Sequence, residues 1–178
     1  GRVKDLKKPK IAKKLLEGKI IGRFVGRAEF GQRALGNRSI IASPNAQNIV
    51  QKINMTIKSR DFWMPFALSI LDKYEKIYLQ KNTFNESPYM TNCYRLIEGY
   101  ENQLRNGIHP ADQTVRPQII KRETNPNYYN LIENYRKLSN IGAILNTSFN
   151  LHGETIVETN QDALEVFINS NMDCLILN

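Results

Sequence analysis

Histidine, cysteine and tryptophan are scarce in this 178-residue chain, which contains two, two and one of them. Cys93 and Cys174 lie far apart and match no metal-ligand spacing, so the sequence predicts buried free thiols rather than a zinc site or a disulfide. The isolated His109 and His152 are more typical of structural or solvated positions than of catalysis. We therefore expect no metal site built from histidine or cysteine side chains.

Long apolar runs and the familiar nucleotide loops are also missing. No apolar run approaches the roughly 20 residues of a bilayer span, and the N-terminal GRVKDLKKPK has no apolar signal core, so we expect a cytoplasmic protein. Neither G-x-x-x-x-G-K-[ST] nor G-x-G-x-x-G occurs, and Ser148 lacks a G-x-S-x-G context. These absences argue against a P-loop, a Rossmann fingerprint and an acyl-enzyme serine.

The hydrophobic pattern alternates between strand-like and helix-like segments, which favours an α/β (α+β) sheet domain. We expect one domain over residues 1–178, with residues 1–21 forming an N-terminal helix and lead-in. Ligands of such sheets gather at strand ends, where loops begin. The predicted strands are residues 20–25, 66–71, 93–97, 114–120, 142–145 and 175–177.

Capping signals mark the predicted helix starts, because short polar side chains satisfy the free N–H groups of a first turn. Thr159 and Asp162 form a capping box. Gly18 is expected to end the first helix. The remaining predicted starts are Ser43-Pro44, for a helix that ends in Lys58 and Arg60, then Asp72 and Asn125-Pro126.

Positive charge is concentrated in the first third of the chain. Residues 1–60 hold 15 Lys or Arg and 3 Asp or Glu, whereas residues 61–178 hold 10 and 14. The stretch FGQRALGNRS at 30–39 holds Arg33 and Arg38 together with two glycines and no acidic residue, which indicates a bound anion. Lys58 and Arg60 have a second interpretation, since cations at a helix C-terminus complement its dipole.

Five blocks of sequence, taken together, resemble the C-terminal domain of the O-carbamoyltransferases, such as the nodulation protein U, cephamycin and tobramycin carbamoyltransferase types. The similarity runs from about Gly22 through nearly the whole chain, in the order and spacing of that family. The blocks are GRAEFGQRALGNRS at 26–39, IKSRDFWMPFALSIL at 57–71, DQTVRPQII at 112–120, NPNYYNLI at 125–132 and LNTSFNLHGETIV at 145–157.

This resemblance implies a YrdC-like twisted mixed β-sheet with flanking helices. It also implies that the domain makes carbamoyl-adenylate from carbamoyl phosphate and ATP. In that family a separate N-terminal domain of the ASKHA type transfers the carbamoyl group to a hydroxyl of the acceptor. We expect that domain to be the partner of this one in a full-length protein and to be absent from these 178 residues.

The resemblance also implies which side chains contact carbamoyl-adenylate or its precursors, some of them with catalytic roles. Together ATP and carbamoyl phosphate bring on the order of six negative charges, which several cations are needed to gather. Mg²⁺ is expected with ATP, and Asp112 is a candidate ligand for it. The predicted catalytic residues are Arg33, Lys58, Arg116 and Ser148; Asn146, Asn150, Arg38 and Arg60 complete the binding set, with Arg38 also expected to brace its loop.

Three departures from the family pattern leave other functions open. Gln32 stands where the family usually has proline, Gln113 where it has glycine, and Met64 where an arginine is expected. The last change suggests a degenerate domain that binds nucleotide without turning it over. The basic first third of the chain leaves a nucleic-acid-binding module as the other alternative.

Overall fold

A computed structural model of the protein describes residues 8–59, 64–81 and 87–178. Arg60, which we predicted to bind ATP, lies outside these residues. None of the helices in the described part of the chain is long and apolar enough to cross a membrane.

The described residues form a mixed sheet, a small ribbon and the surrounding helices. The strands are β1 (Ile21–Phe24), β2 (Arg38–Ala42), β3 (Ala67–Leu71), β4 (Tyr94–Arg95), β5 (Thr114–Val115), β6 (Pro117–Ile120), β7 (Ala143–Ser148) and β8 (Cys174–Leu177). The helices are α1 (Lys8–Leu16), α2 (Ile49–Ile53), α3 (Glu75–Tyr78), α4 (Glu101–Leu104), α5 (Pro126–Ser139) and α6 (Asn160–Ile168). A π-helical turn (Asn54–Lys58) extends α2, and 3₁₀ turns cover Asp72–Tyr74 and Arg105–Gly107.

The main sheet has the strand order β6-β3-β7-β2-β1-β8, and β4 pairs with β5 in a separate ribbon. The pairs β1–β8 and β3–β6 are parallel, whereas β1–β2, β2–β7 and β3–β7 are antiparallel. Every residue of β1, β2 and β6 is buried, which requires cover on both faces of the sheet. Helix α1 packs on α5, and α6 packs on β1 and β8. The predicted mixed sheet with flanking helices is confirmed.

Three of the predicted helix signals are confirmed. The Asn125 side chain caps α5 by accepting from the Tyr128 N–H at 3.0 Å, and Pro126 occupies the first turn. Thr159 and Asp162 form the expected capping box at the start of α6. Gly18, with φ of 73°, follows the end of α1 and takes a left-handed conformation that suits glycine.

Two predicted helix starts are wrong, because the polar side chains involved bond to other groups than the N–H groups of a first helical turn. The Ser43 hydroxyl contacts the Tyr135 hydroxyl at 2.7 Å instead of capping a helix, and α2 begins only at Ile49. Asp72 lies inside a 3₁₀ turn whose cap position is Leu71, and its carboxylate accepts from the Lys73 N–H. Local sequence could not show that Ser43 has a partner 92 residues away.

The segment predicted as one strand over residues 114–120 is two strands that belong to different sheets. Thr114 pairs with Arg95 in the ribbon, whereas Pro117 pairs with Leu68 in the main sheet. Arg116 therefore lies at the point where the backbone passes from one sheet to the other. The other strand of the ribbon covers only Tyr94–Arg95 of the predicted residues 93–97.

Strand directions bring several loops to one edge of the main sheet. The end of β7 at Ser148 pairs with the start of β2 at Ser39. Asn146 pairs with Ala67 at the start of β3, and β6 begins in parallel beside it. The loops that precede β2, β3 and β6 therefore meet the C-terminal end of β7.

Candidate functional site

A cavity of about 530 Å³ opens at this edge of the sheet. It is lined by the loop before β2, the residues before β3, the end of β7 and the ribbon, as expected for ligands at strand ends. The lining residues are Gln32, Arg33, Ala34, Met64, Pro65, Phe66, Ala67, Met90, Cys93, His109, Asp112, Thr114, Arg116, Asn146, Thr147 and Ser148.

Glu29 holds the loop before β2 in shape. One oxygen of its carboxylate accepts from the backbone N–H groups of Leu35, Asn37 and Arg38, at 2.7, 2.6 and 3.3 Å. These charge-assisted bonds close the loop locally. The Asn37 amide adds a bond to the Arg27 carbonyl at 2.9 Å. These bonds therefore fix both ends of the segment between Glu29 and Leu35.

Arg38 lies beneath this loop and is absent from the cavity lining. Its side chain is 5% exposed and donates to the carbonyls of Val25, Asn37 and Gly26 at 3.3, 3.3 and 2.9 Å. The guanidinium also sits 3.6 Å from the centre of the Phe24 ring. Burial lowers the pKa of Arg38 below its ordinary value. Its contacts are those of a residue that braces the loop.

Arg33 lines the cavity from the loop before β2, and Arg116 lines it from the junction of β5 and β6. Both residues are exposed. Within residues 8–59, 64–81 and 87–178, neither guanidinium has a hydrogen-bond or ion-pair partner. Two cations without an ion-pair partner favour an anion between them, and guanidinium groups suit forked contact with phosphate oxygens. The structure therefore places both predicted residues in the lining of one cavity.

Lys58 is buried at the end of the π-helical turn, with an exposure of 2%. Its ammonium donates to the carbonyl and Oγ of Ser148 at 2.7 and 3.1 Å, and to the carbonyl and Oδ1 of Asn150 at 2.9 and 2.6 Å. Lys58 and Asn150 do not line the cavity, whereas Ser148 does. Lys58 therefore fixes the end of β7, and it orients Ser148 from behind.

Asn146 reaches the cavity from β7 although it is only 1% exposed. Its amide nitrogen donates to the Ala34 carbonyl, Ser69 Oγ and Gln118 Oε1 at 3.0, 3.1 and 3.0 Å. Because the Ala34 and Gln118 oxygens are acceptors, the NH₂ group must face them and Oδ1 must point elsewhere. That buried Oδ1 has no hydrogen-bond partner in the described structure. An unsatisfied acceptor of this kind indicates a ligand donor or a water.

A buried network supports this amide from below. The Tyr128 hydroxyl donates to Ser69 Oγ at 3.0 Å, which in turn donates to Gln118 Oε1 at 2.8 Å. The Gln118 amide is held by the Leu35 carbonyl at 2.8 Å. Burial raises the pKa of Tyr128, so its hydroxyl stays protonated and keeps its donor. The network joins α5 to strands β3, β6 and β7.

Some lining residues were missed by sequence reasoning. Met90 and Thr114 carried no recognisable signal, and Cys93 was expected to be buried. That expectation is wrong for Cys93, which is exposed at the cavity, while Cys174 is half-buried and neither forms a disulfide. Met64 lines the cavity. The departure from the family pattern at this position therefore changes the lining of the candidate site.

Asp112 is the carboxylate of the cavity lining. Its Oδ1 accepts from the N–H and hydroxyl of Thr114 at 2.9 and 2.7 Å, bonds that lower the pKa of the carboxyl. Its other oxygen is left for a cation. No group of three or more His, Cys, Asp or Glu is placed to bind a metal ion in the part of the chain described. Asp112 can therefore supply one protein ligand to a divalent cation, whose other ligands would have to come from elsewhere.

Several cations of the basic first third have acidic partners. Lys14 pairs with Glu17 at 3.0 Å, and Lys19 and Lys52 both reach Asp173, at 3.0 and 3.4 Å. These pairs lower the positive charge that the α1 region presents. The clearest unpartnered cations of the site are instead the two arginines in the cavity.

The fold is that of a YrdC-like domain. Its solved neighbours include full-length HypF in a phosphate- and nucleotide-bound form, with a TM-score of 0.69, 21% identity and coverage of 96% of this chain and 24% of HypF. They also include P. abyssi Sua5 complexed with L-threonine, with a TM-score of 0.63, 18% identity and coverage of 99% and 48%. At such identities the likeness shows the fold alone.

Sequence similarity is more specific. The profile of the family described as "Carbamoyltransferase C-terminus" matches residues 12–178, so the chain belongs to that family. A relative is the nodulation protein NolO of Bradyrhizobium diazoefficiens, 38% identical over 165 residues that cover 92% of this chain and 30% of NolO. The chain spans about a quarter to a third of the length of the curated relatives it matches.

Proposed function

We propose that this domain uses ATP to activate carbamoyl phosphate as carbamoyl-adenylate, for transfer to a hydroxyl acceptor by another domain of a longer protein. The observation that carries the proposal is the set of polar groups in the lining of one cavity. It combines the unpartnered guanidinium groups of Arg33 and Arg116 with the buried, unpartnered Oδ1 of Asn146. The arginines suit phosphate oxygens, and the amide oxygen suits the NH₂ donor of a carbamoyl group.

The reaction balances with one water. Carbamoyl phosphate and water give carbamate and inorganic phosphate. A carbamate oxygen then attacks the α-phosphorus of ATP, the bond from that phosphorus to the bridging oxygen of the β-phosphate breaks, and pyrophosphate leaves. Negative charge grows on the α-phosphate during the attack, so cations fixed beforehand lower the barrier.

The residues of the cavity have distinct parts in this scheme. Arg33 and Arg116 neutralise the phosphates from two sides of the cavity. Asn146 binds the carbamoyl NH₂ group through Oδ1. The Ser148 hydroxyl donates to Asn150 Oδ1 at 2.6 Å and accepts from Lys58, so its Oγ offers its remaining lone pair as an acceptor beside the carbamoyl group. Mg²⁺ bound by the triphosphate and Asp112 would supply further neutralisation of charge.

Exchange between ATP and labelled pyrophosphate, dependent on carbamoyl phosphate, tests this proposal. We expect exchange with the unaltered chain and its loss on Arg33→Ala, together with weaker ATP binding in isothermal titration. Arg27→Ala is the matched control, because Arg27 is exposed near the same loop but does not line the cavity. Equal ATP binding by the unaltered chain and by Arg33→Ala and Arg116→Ala variants would refute the site.

A second function, nucleotide binding without turnover, is favoured by one observation. Met64 lines the cavity at a position where the family resemblance leads us to expect an arginine. Loss of a cation that faces a phosphate costs a few kcal/mol when the pair is buried. ATP binding without exchange, and exchange restored by Met64→Arg, would support this function. Exchange by the unaltered chain would exclude it.

A further inference from the structure

A second cleft adjoins the cavity, and we call it the outer cleft. It has a volume of about 450 Å³ and shares four residues with the cavity, among them Arg33 and Arg116. The two spaces therefore meet at the arginines. A ligand whose charged centre lies at these arginines can place one end against Asn146 and the other end in the outer cleft.

The outer cleft differs from the cavity in its aromatic side chains. Phe30 and Tyr89 line it, with exposures of 108% and 62%. Full exposure of a phenylalanine forgoes the roughly 2–3 kcal/mol that burial of its side chain contributes. Such a residue beside two unpartnered cations is typical of a binding surface rather than of packing.

The position of Phe30 is fixed from its own loop. It directly follows Glu29, whose carboxylate is anchored to three backbone N–H groups. Gly31 follows with φ of 114°, a backbone conformation that residues with a side chain rarely adopt. Phe30 is therefore displayed at the rim of the cleft by a braced backbone.

We propose that the outer cleft holds the base of the nucleotide, with the rings of Phe30 and Tyr89 stacked on it and the phosphates at the shared arginines. This inference rests on the proposed function, which places a nucleotide in the adjoining cavity. A flat aromatic group attached to phosphates matches the order of the surfaces: amide acceptor, cation pair, aromatic rings. Stacking of this kind tolerates different bases, because every base has a π face.

Isothermal titration with two probes tests this assignment. ATP carries the base, whereas inorganic tripolyphosphate carries only the phosphates. We expect Phe30→Ala and Tyr89→Ala each to weaken ATP binding by about 5- to 100-fold and to leave tripolyphosphate binding within about twofold. Phe30→Trp should retain ATP affinity. Ile168→Ala is the control, because Ile168 is 75% exposed on α6 and lies outside the cleft.

A spectroscopic readout distinguishes stacking from other losses of affinity. The fluorescence of 2-aminopurine riboside triphosphate falls when its base stacks, so binding to the unaltered chain should quench it. Quenching at saturation should be smaller with Phe30→Ala and unchanged with Ile168→Ala.

Each remaining outcome overturns the assignment. Unchanged ATP affinity in both aromatic variants, with Arg33 still required, would refute the base site and leave the proposed function standing. Equal loss for ATP and tripolyphosphate would show that the rings shape the phosphate site instead. Absence of binding of either probe by the unaltered chain would overturn the proposed function and the base site together.

Discussion

Replacing Lys58 by methionine tests whether Lys58 supports the structure of the site or contacts the ligand directly. The Lys58 ammonium approaches four oxygens of Ser148 and Asn150, but its three N–H groups make at most three bonds at once. At about 1.5 kcal/mol for each charge-assisted bond, the loss is roughly 4–5 kcal/mol. Relief from burying a charge offsets part of this. We expect the free energy of unfolding to fall by about 2–4 kcal/mol.

Urea unfolding followed by circular dichroism measures this change. Methionine keeps a similar length and an apolar stem, so the packing of the buried side chain is largely preserved. Lys52→Met is the matched control: Lys52 is partly exposed and reaches Asp173 at 3.4 Å, so its loss should change stability by about 0.5 kcal/mol or less. An unfolding curve of Lys58→Met identical to that of the unaltered chain would refute the support of residues 148–150 by Lys58.

The comparison with Arg33→Ala gives the second half of this prediction. Arg33 is exposed and its guanidinium has no partner within the described structure, so its truncation should leave the unfolding free energy within about 0.5 kcal/mol. ATP binding should nevertheless weaken. Lys58→Met should lower both quantities, because ligand affinity falls with the displaced Ser148. Loss of ATP affinity without loss of stability in Lys58→Met would instead place Lys58 in direct contact with the ligand.

Two further predictions concern folding stability. Gly36→Ala should lower the unfolding free energy by roughly 3–5 kcal/mol, because φ is 117° and a Cβ would collide with the buried ring of Tyr128. Gly31→Ala, with φ of 114° but open space, should lose only the roughly 1–3 kcal/mol of backbone strain, and equal losses would contradict the collision. Burial alone would raise the pKa of Asp173, but the Ile20 N–H and a lysine ammonium hold it below the ordinary value. Its contribution to stability is complete above about pH 4 and falls away as the pH drops through the folded-state pKa, so Asp173→Asn should flatten the acid side of the pH–stability curve.

Elements with strong local signals were predictable from the sequence. The start of α5 needs only Asn125 and Pro126 to be recognised, and the box at α6 is complete within four residues. The strand before NTSFN is also visible as a compact apolar run. These elements are determined by residues that are close together along the chain, so they can be recognised from a local sequence pattern.

The parts of the site that depend on distant contacts were less accessible. Arg33 and Arg38 occur in one motif, yet the first points into the cavity while the second lies under the loop. The partners of Lys58 are about 90 residues away in sequence. The family resemblance brought both Lys58 and Ser148 into the candidate set, but only the tertiary structure distinguishes support from lining.

The outer cleft was invisible to sequence reasoning for a related reason. Phe30 and Tyr89 come from segments that no pattern links, and each alone resembles an ordinary core residue. Their exposure is what marks them, and exposure is a property of the folded chain.

The bonds from Tyr128 through Ser69 and Gln118 to Asn146 make the cavity preorganised. These bonds hold the amide of Asn146 in one orientation, so a ligand of the kind proposed would meet a group that is already oriented. Its orientation is also set from helix α5, because the Tyr128 hydroxyl bonds to the same Ser69 Oγ. The polarity of the cavity can therefore be altered by Tyr128→Phe, a substitution that touches no ligand.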